Sequence, residues 1–320
     1  MARYVIRRLV QMLITLWVIV SLTFVLMHAL PGDPFTSPKL PEQIRQNMRI
    51  KYGLDKPLYV QYGIYLSNLA HGNLGYSLKY QQRTVNDMIR DGFPYSADLG
   101  LRAIAFGVIA GLTLGTLAAF GHDKAIDRSA MVIAVFGISV PGFIVATLLD
   151  YFLSARLSLA TGAWSFLNAF ALPAAGWGSF KQSLMPSFSL GLGVLATMAR
   201  MMRASVLDVV GQDYIRTARA KGLNSREIIW RHTMRNAILP IVTILGPMII
   251  NIITGSVVIE TIFSIPGLGR YFVQSIYNND YTLIMGTTIF YAALLLAALF
   301  VVDMLYGVVD PRIRLAGGKE

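Results

Sequence analysis

Six stretches of about 20 or more mostly apolar residues run through the chain, at 9–30, 97–120, 129–153, 184–202, 237–259 and 283–308. That is the length an α-helix needs to cross a hydrocarbon core about 30 Å thick. Lipid offers the backbone no hydrogen-bond partners, so a spanning segment must be a helix or part of a closed barrel. The spacing therefore predicts an all-α integral membrane protein with six transmembrane helices. Composition agrees: 14% of residues are charged, against about 25% in a soluble domain. Arg3, Arg7 and Arg8 precede the first stretch, as in a signal peptide, but the stretch is too long for an h-region and Ala29-Leu30-Pro31-Gly32 is a poor cleavage site. It reads as a retained anchor.

Lys and Arg in the short loops set the orientation. With the N-terminus inside, segments 1–8, 121–128, 203–236 and 309–320 hold 3, 2, 7 and 3 of them. The short outer loops 154–183 and 260–282 hold Arg156, Lys181 and Arg270. Both termini are expected in the cytoplasm. The net charge of +11 is thus largely a membrane-topology signal, and no nucleic-acid partner is expected. This reading divides the chain into a tail and first span (1–30), an outer cap (31–96) with helices expected near 41–52 and 58–70, a five-helix core (97–308) and a cytoplasmic tail (309–320). Segment 154–183 reads equally as an interfacial element or a re-entrant turn.

Charge inside the spans is sparse: Asp98, Arg102, Asp150 and Asp303, with Arg200 just inside the inner end of the fourth. Asp98 and Arg102 stand four apart, the spacing of a helical ion pair. Asp303 is the deeper acid. An intramembrane acid is a functional candidate by default, although a structural partner for the basic tail or another helix is the favoured reading. Gly107, Gly111 and Gly115 form a small-residue stripe that suits close helix packing, within the chain or against a second subunit. Pro141-Gly142 and Gly246-Pro247 mark kinks. There is no cysteine, hence no disulfide or thiolate chemistry. The four His are scattered, with no His-Glu-x-x-His, and no Gly-x-x-x-x-Gly-Lys-Ser/Thr is present. Neither a metal site nor an ATPase motif is expected.

The inner loop 203–236 is the most informative segment. Asp213 is placed to cap a short Ala- and Arg-rich helix that Gly222 ends in a left-handed turn. Asn224 with Glu227 resembles a capping box opening a second helix. Helix, sharp turn, helix, fastened between two membrane spans, suits mechanical coupling better than DNA binding. The alternative is a solvated loop obeying the positive-inside rule.

At these residues the chain resembles a known family. Tyr214-Ile-Arg216-Thr217-Ala218-Arg219-Ala220-Lys221-Gly222-Leu223 looks like the EAA loop of ABC importer permease subunits, in the form of the dipeptide and oligopeptide branch. Arg216 and Thr217 stand where other branches usually have Glu and Ala. Further likenesses run from Pro31-Gly32-Asp33-Pro34 and Gly72-Asn73-Leu74-Gly75 to Glu260-Thr261-Ile262-Phe263, Pro266-Gly267-Leu268-Gly269, Asp280-Tyr281 and Asp310-Pro311-Arg312. Within the branch the oligopeptide permease B subunit is the nearest likeness, notably at Phe35-Thr36 and Thr84-Val85-Asn86-Asp87.

The resemblance implies the type I ABC importer permease fold and a non-catalytic subunit of an inner-membrane importer for oligopeptides. The implied partners are a second homologous permease, two cytosolic ABC ATPases that bind ATP and Mg, an extracytoplasmic peptide-binding protein, the peptide and membrane lipid. No cofactor is expected in this chain. Tyr214 and Arg216 to Gly222 are the expected ATPase contact, with Arg219 and Lys221 supplying charge and Ala218 and Ala220 close approach. Glu260, Pro266, Gly267 and Gly269 are candidates for an outer gate or its scaffold. Dipeptides, nickel or a glutathione-like ligand are alternative substrates within the family, and an ion-coupled carrier or channel is the alternative outside it.

Overall fold

The computed structural model describes residues 2–29, 46–47, 50, 53–80, 82–156, 159, 168–253 and 257–309. The helix expected near 41–52 falls mostly outside these residues, as do Pro31-Gly32-Asp33-Pro34, Phe35-Thr36, Asp310-Pro311-Arg312 and the tail 310–320. Among the described residues every regular element is helical: α1 (Ala2–Ala29), α2 (Leu58–Ala70), α3 (Val85–Phe120), α4 (Ala125–Ser139), α5 (Gly142–Leu149, continued by a π-helical stretch Asp150–Arg156), α6 (Phe180–Val210) and α7 (Asp213–Ala220). Then α8 runs from Ser225–Glu227 through a π-helical stretch Ile228–Met234 into Arg235–Ala237. It is followed by α9 (Leu239–Ile253), α10 (Val257–Ile262), α11 (Leu268–Tyr277) and α12 (Tyr281–Val309).

Within α1, α3, α6 and α12 lie helical segments apolar and long enough to cross a membrane, Tyr4–Ala29, Val85–Phe120, Phe180–Val210 and Tyr281–Val301. They match the first, second, fourth and sixth expected spans. The second helix begins at Val85, about three turns before the apolar stretch, because Thr84 caps it: its hydroxyl accepts from the Asp87 amide at 3.0 Å. The stretch expected as the third span is a pair of helices bent by 102°. The reason is local. Pro141 lacks an N–H and disfavours helical geometry in the residue before it, so Val140 is extended (φ −93°, ψ 120°) and Pro141 becomes the N-cap of α5. The fifth expected span corresponds to α9 and α10, with residues 254–256 between them outside the described set.

The described residues form two compact units, Met1–Pro94 with Gly267–Gly307, and Tyr95–Pro266. In the first, Val85, Met88, Ile89, Leu268 and Leu283 make the buried cluster, and Phe93 meets Phe290 edge-on at 5.0 Å. Along α1 the apolar side chains Leu13, Trp17, Leu22 and Leu26 are exposed, as expected of a helix solvated by lipid. Asp303 is paired with Arg8 of α1 at 3.3 Å. The acid expected inside the membrane therefore has a partner on another helix.

The second unit is built around α6. A capping box opens it: the Ser179 hydroxyl accepts from the Gln182 amide at 3.3 Å, and the Gln182 side chain accepts from the Ser179 amide at 3.0 Å. The glycine stripe of α3 packs onto α6 inside this chain. A Cβ at Gly107 would lie 2.7 Å from the Gly191 carbonyl, and one at Gly111 would lie 2.6 Å from the Leu195 carbonyl. No side chain fits at those separations, so the stripe is the seam between two helices of one subunit. Segment 154–183 contributes Leu172 and Trp177 to a cluster with Leu99, Met185, Ile259 and Phe263. The Leu172 amide bonds to Leu153 O at 2.9 Å and the Gly176 amide to Phe263 O at 2.9 Å.

Candidate functional site

Two residues past the end of α6, the chain turns into α7, eight residues long. Gln212, not Asp213, is the N-cap. Asp213 sits one place later, in the first turn, and its carboxylate accepts from Arg216 Nη1 at 3.3 Å. An acid in the first turn still favours the positive end of the helix dipole, so the residue helps as expected through a different geometry.

The far end of α7 is a Schellman motif. The Leu223 amide reaches Ala218 O at 3.3 Å and the Gly222 amide reaches Arg219 O at 3.0 Å, which satisfies carbonyls that a helix end would otherwise orphan. Gly222 has φ +79°, with open space where a Cβ would point. The requirement for glycine is therefore purely conformational. Leu223 then folds back onto the helix, joining Val209 around a cluster of Ile215, Ala218 and Ile228.

That cluster decides which residues face outward. Ile215 is completely buried and Ala218 is 7% exposed, both packed on Ile228 of α8. Ala218 therefore holds α7 to α8 and is not at the surface, contrary to the close-approach role expected of it. Tyr214, Arg216, Thr217, Arg219, Ala220, Lys221 and Gly222 are exposed. Arg216 is partly neutralised by Asp213, leaving Arg219 and Lys221 as the outward cations of the turn.

Beyond the turn, the Asn224 side chain accepts from the Glu227 amide at 2.8 Å. The other half of a capping box is not formed, since Glu227 accepts instead from Arg231 Nη1 at 2.6 Å. Two bonds fasten the loop. Asn236 donates to the Tyr214 hydroxyl at 3.2 Å, joining α8 to α7, and Ser205 donates to Ala237 O at 2.7 Å, joining α6 to α8. Helices α6, α7 and α8 are thus linked by packing and hydrogen bonds into one body.

The other predicted residues fall elsewhere. Glu260 is fully buried and accepts from the Ser96 hydroxyl at 2.7 Å. Pro266 is exposed, while Gly267 and Gly269 are buried. Two polar keystones carried no role in the sequence reading. Asp280, fully buried, accepts from Ser77 Oγ, from the Leu78 amide at 3.1 Å and from the Leu283 amide at 3.1 Å, so it both caps α12 and binds the loop before α3. Asp127 accepts twice from Arg203, at 2.5 Å and 2.8 Å, tying the start of α4 to α6. The acids were visible in the sequence, but their partners lie 203 and 76 residues away, and no spacing rule reaches that far.

Residues 111–315 match the family described as binding-protein-dependent transport system inner membrane component, and residues 1–100 match its N-terminal companion. The dipeptide transport system permease protein DppB of Bacillus subtilis is 46% identical over 98% of this chain and 99% of its own. The oligopeptide transport system permease proteins OppB of Haemophilus influenzae and Salmonella typhimurium are each 40% identical over 98% of this chain and 100% of theirs. Among solved structures, the inward-facing MetNI methionine ABC transporter aligns with a TM-score of 0.54 and 18% identity, covering 70% of this chain and 96% of that one; at that identity the likeness speaks for the fold alone. The all-helical build of the described residues, the short helix α7 between α6 and α8, and these full-length matches agree: the chain belongs to the family of binding-protein-dependent transport system inner membrane components, the permease subunits of ABC importers.

Proposed function

We propose that this chain forms half of the translocation pathway of a peptide importer and that α7 is where a cytosolic ATPase drives it. The observation that carries the reading is the division of α7 into two faces: Ile215 and Ala218 packed inward, and Arg216, Thr217, Arg219 and Lys221 turned outward. A helix of eight residues is too short to be stable alone in water. Its inner face is what keeps it folded, which leaves the outer face free for a partner. A push on that face passes through the Ile215–Ala218–Ile228 cluster and the Ser205–Ala237 bond to α6. The membrane helices then move as a body between two states.

In this reading ATP and Mg belong to two ATPase subunits, a second permease completes the pathway, and a peptide-binding protein delivers cargo to the outer side. Both termini and α7 lie in the cytoplasm. Oligopeptides are the main substrate reading. Dipeptides are the second, favoured by the 46% identity to a dipeptide permease.

The test uses the whole complex in proteoliposomes, with peptide uptake and ATP hydrolysis measured together. Gly222→Pro, and separately the pair Arg219→Glu and Lys221→Glu, are expected to leave insertion intact and to abolish uptake, with hydrolysis no longer tied to transport. Unchanged peptide uptake in these variants would remove α7 from the mechanism.

A further inference from the structure

A cleft of about 410 Å³ opens in the second unit. Its described lining includes Phe106, Leu149, Leu153 and Phe188, with three polar side chains: Arg102, Ser183 and Ser187. Arg102 sits at a built polar corner. Its Nε donates to Asp98 at 2.9 Å and its Nη1 to the Ser183 hydroxyl at 3.1 Å, and its guanidinium lies 5.5 Å from the centre of the Trp177 ring. Trp177 in turn donates to Asp98 at 3.0 Å. A guanidinium carries five N–H donors, and these bonds use two. An ion pair beside an indole is the side-chain chemistry of the membrane–water boundary. One helical turn further along α6, the Ser187 hydroxyl is buried and has no hydrogen-bond partner among the described residues, in a residue 7% exposed.

We propose that this cleft holds one acyl chain of a membrane phospholipid, with the phosphate on Arg102 and the ester carbonyl accepting from Ser187. The polar groups stand in the order a glycerophospholipid presents its own: a cation for the phosphate at the boundary, then a hydroxyl donor for the ester about one 5.4 Å turn away, then only apolar side chains. Net charge is balanced by Asp98, so the site suits a zwitterionic headgroup as well as an anionic one. A peptide fits less well. Each of its amides needs a partner once out of water, and beyond Ser187 the described lining offers no polar side chain.

The experiment uses the intact importer complex in nanodiscs containing phosphatidylethanolamine with a photoreactive diazirine in its acyl chain. Crosslinks are expected on Phe106, on 149–153 and on 184–188. Arg102→Gln should lower that labelling about tenfold, the scale of one lost charged hydrogen bond. Leu184→Trp, which fills the cleft and leaves the ion pair alone, should lower it similarly. Assembly of the complex is followed in the same samples, so that misfolding is not mistaken for loss of the site. Labelling spread evenly over the lipid-facing helices, labelling unchanged in both variants, or labelling displaced by transported peptide would each overturn the proposal.

Discussion

At the scale of single residues, Gly222 and Ala218 show two different reasons for being small. Gly222 has room for a side chain and a backbone that forbids one, so Gly222→Ala should cost roughly 1–2 kcal/mol locally through left-handed strain, fraying the end of α7. Ala218 has an ordinary helical backbone and no room, being packed on Ile228; Ala218→Leu should force α7 away from α8. Uptake in proteoliposomes is expected to fall in both, with the complex still recovered at normal yield. A different residue-scale case is Asp127 with Arg203. Reversing either charge alone should lower the melting temperature of the purified complex, and the exchanged pair, Asp127→Arg with Arg203→Asp, should recover part of the loss. Recovery no better than the sum of the single changes would mean that the two side chains do not act as a pair.

At the scale of elements, the seam between α3 and α6 is set by glycines whose missing side chains let carbonyls of the other helix approach. Gly111→Leu overpacks that seam, at about 3 kcal/mol by the usual cost of such changes, and is expected to reduce the amount of chain recovered in the membrane fraction. The stripe itself was legible in the sequence from its spacing of four; its partner was not, because small residues suit a neighbouring subunit as well as a neighbouring helix. Helix α2 was read at its observed limits, since Pro57 opens it and His71-Gly72-Asn73 follows it. The start of α6 was read four residues late, because Ser179 and Gln182 form a capping box in a stretch that hydropathy alone leaves outside the span. The turn that ends α7 was legible almost residue by residue, since Gly222, Asn224 and the Ala- and Arg-rich run act locally. The inward turn of Ala218 depends on Ile228, which only the folded loop brings near.

At the scale of the whole molecule, the absence of cysteine makes the membrane orientation directly measurable. Single substitutions Tyr59→Cys in α2 and Arg219→Cys in α7, both at exposed positions, should react with a membrane-impermeant maleimide from opposite sides: Tyr59→Cys in intact cells, Arg219→Cys only after the membrane is opened. Labelling of both from one side would invert or break the proposed topology. The 102° turn between α4 and α5 has its own bearing on how such a molecule works. To straighten it, Val140 would have to adopt helical angles directly ahead of a proline ring, where steric clash resists them. Straightening the elbow therefore carries a local steric cost set by Val140 and Pro141 themselves. The expectation that follows is that its two arms move with the elements they pack against, and that the hinge between them works as a fixed corner and not as a spring.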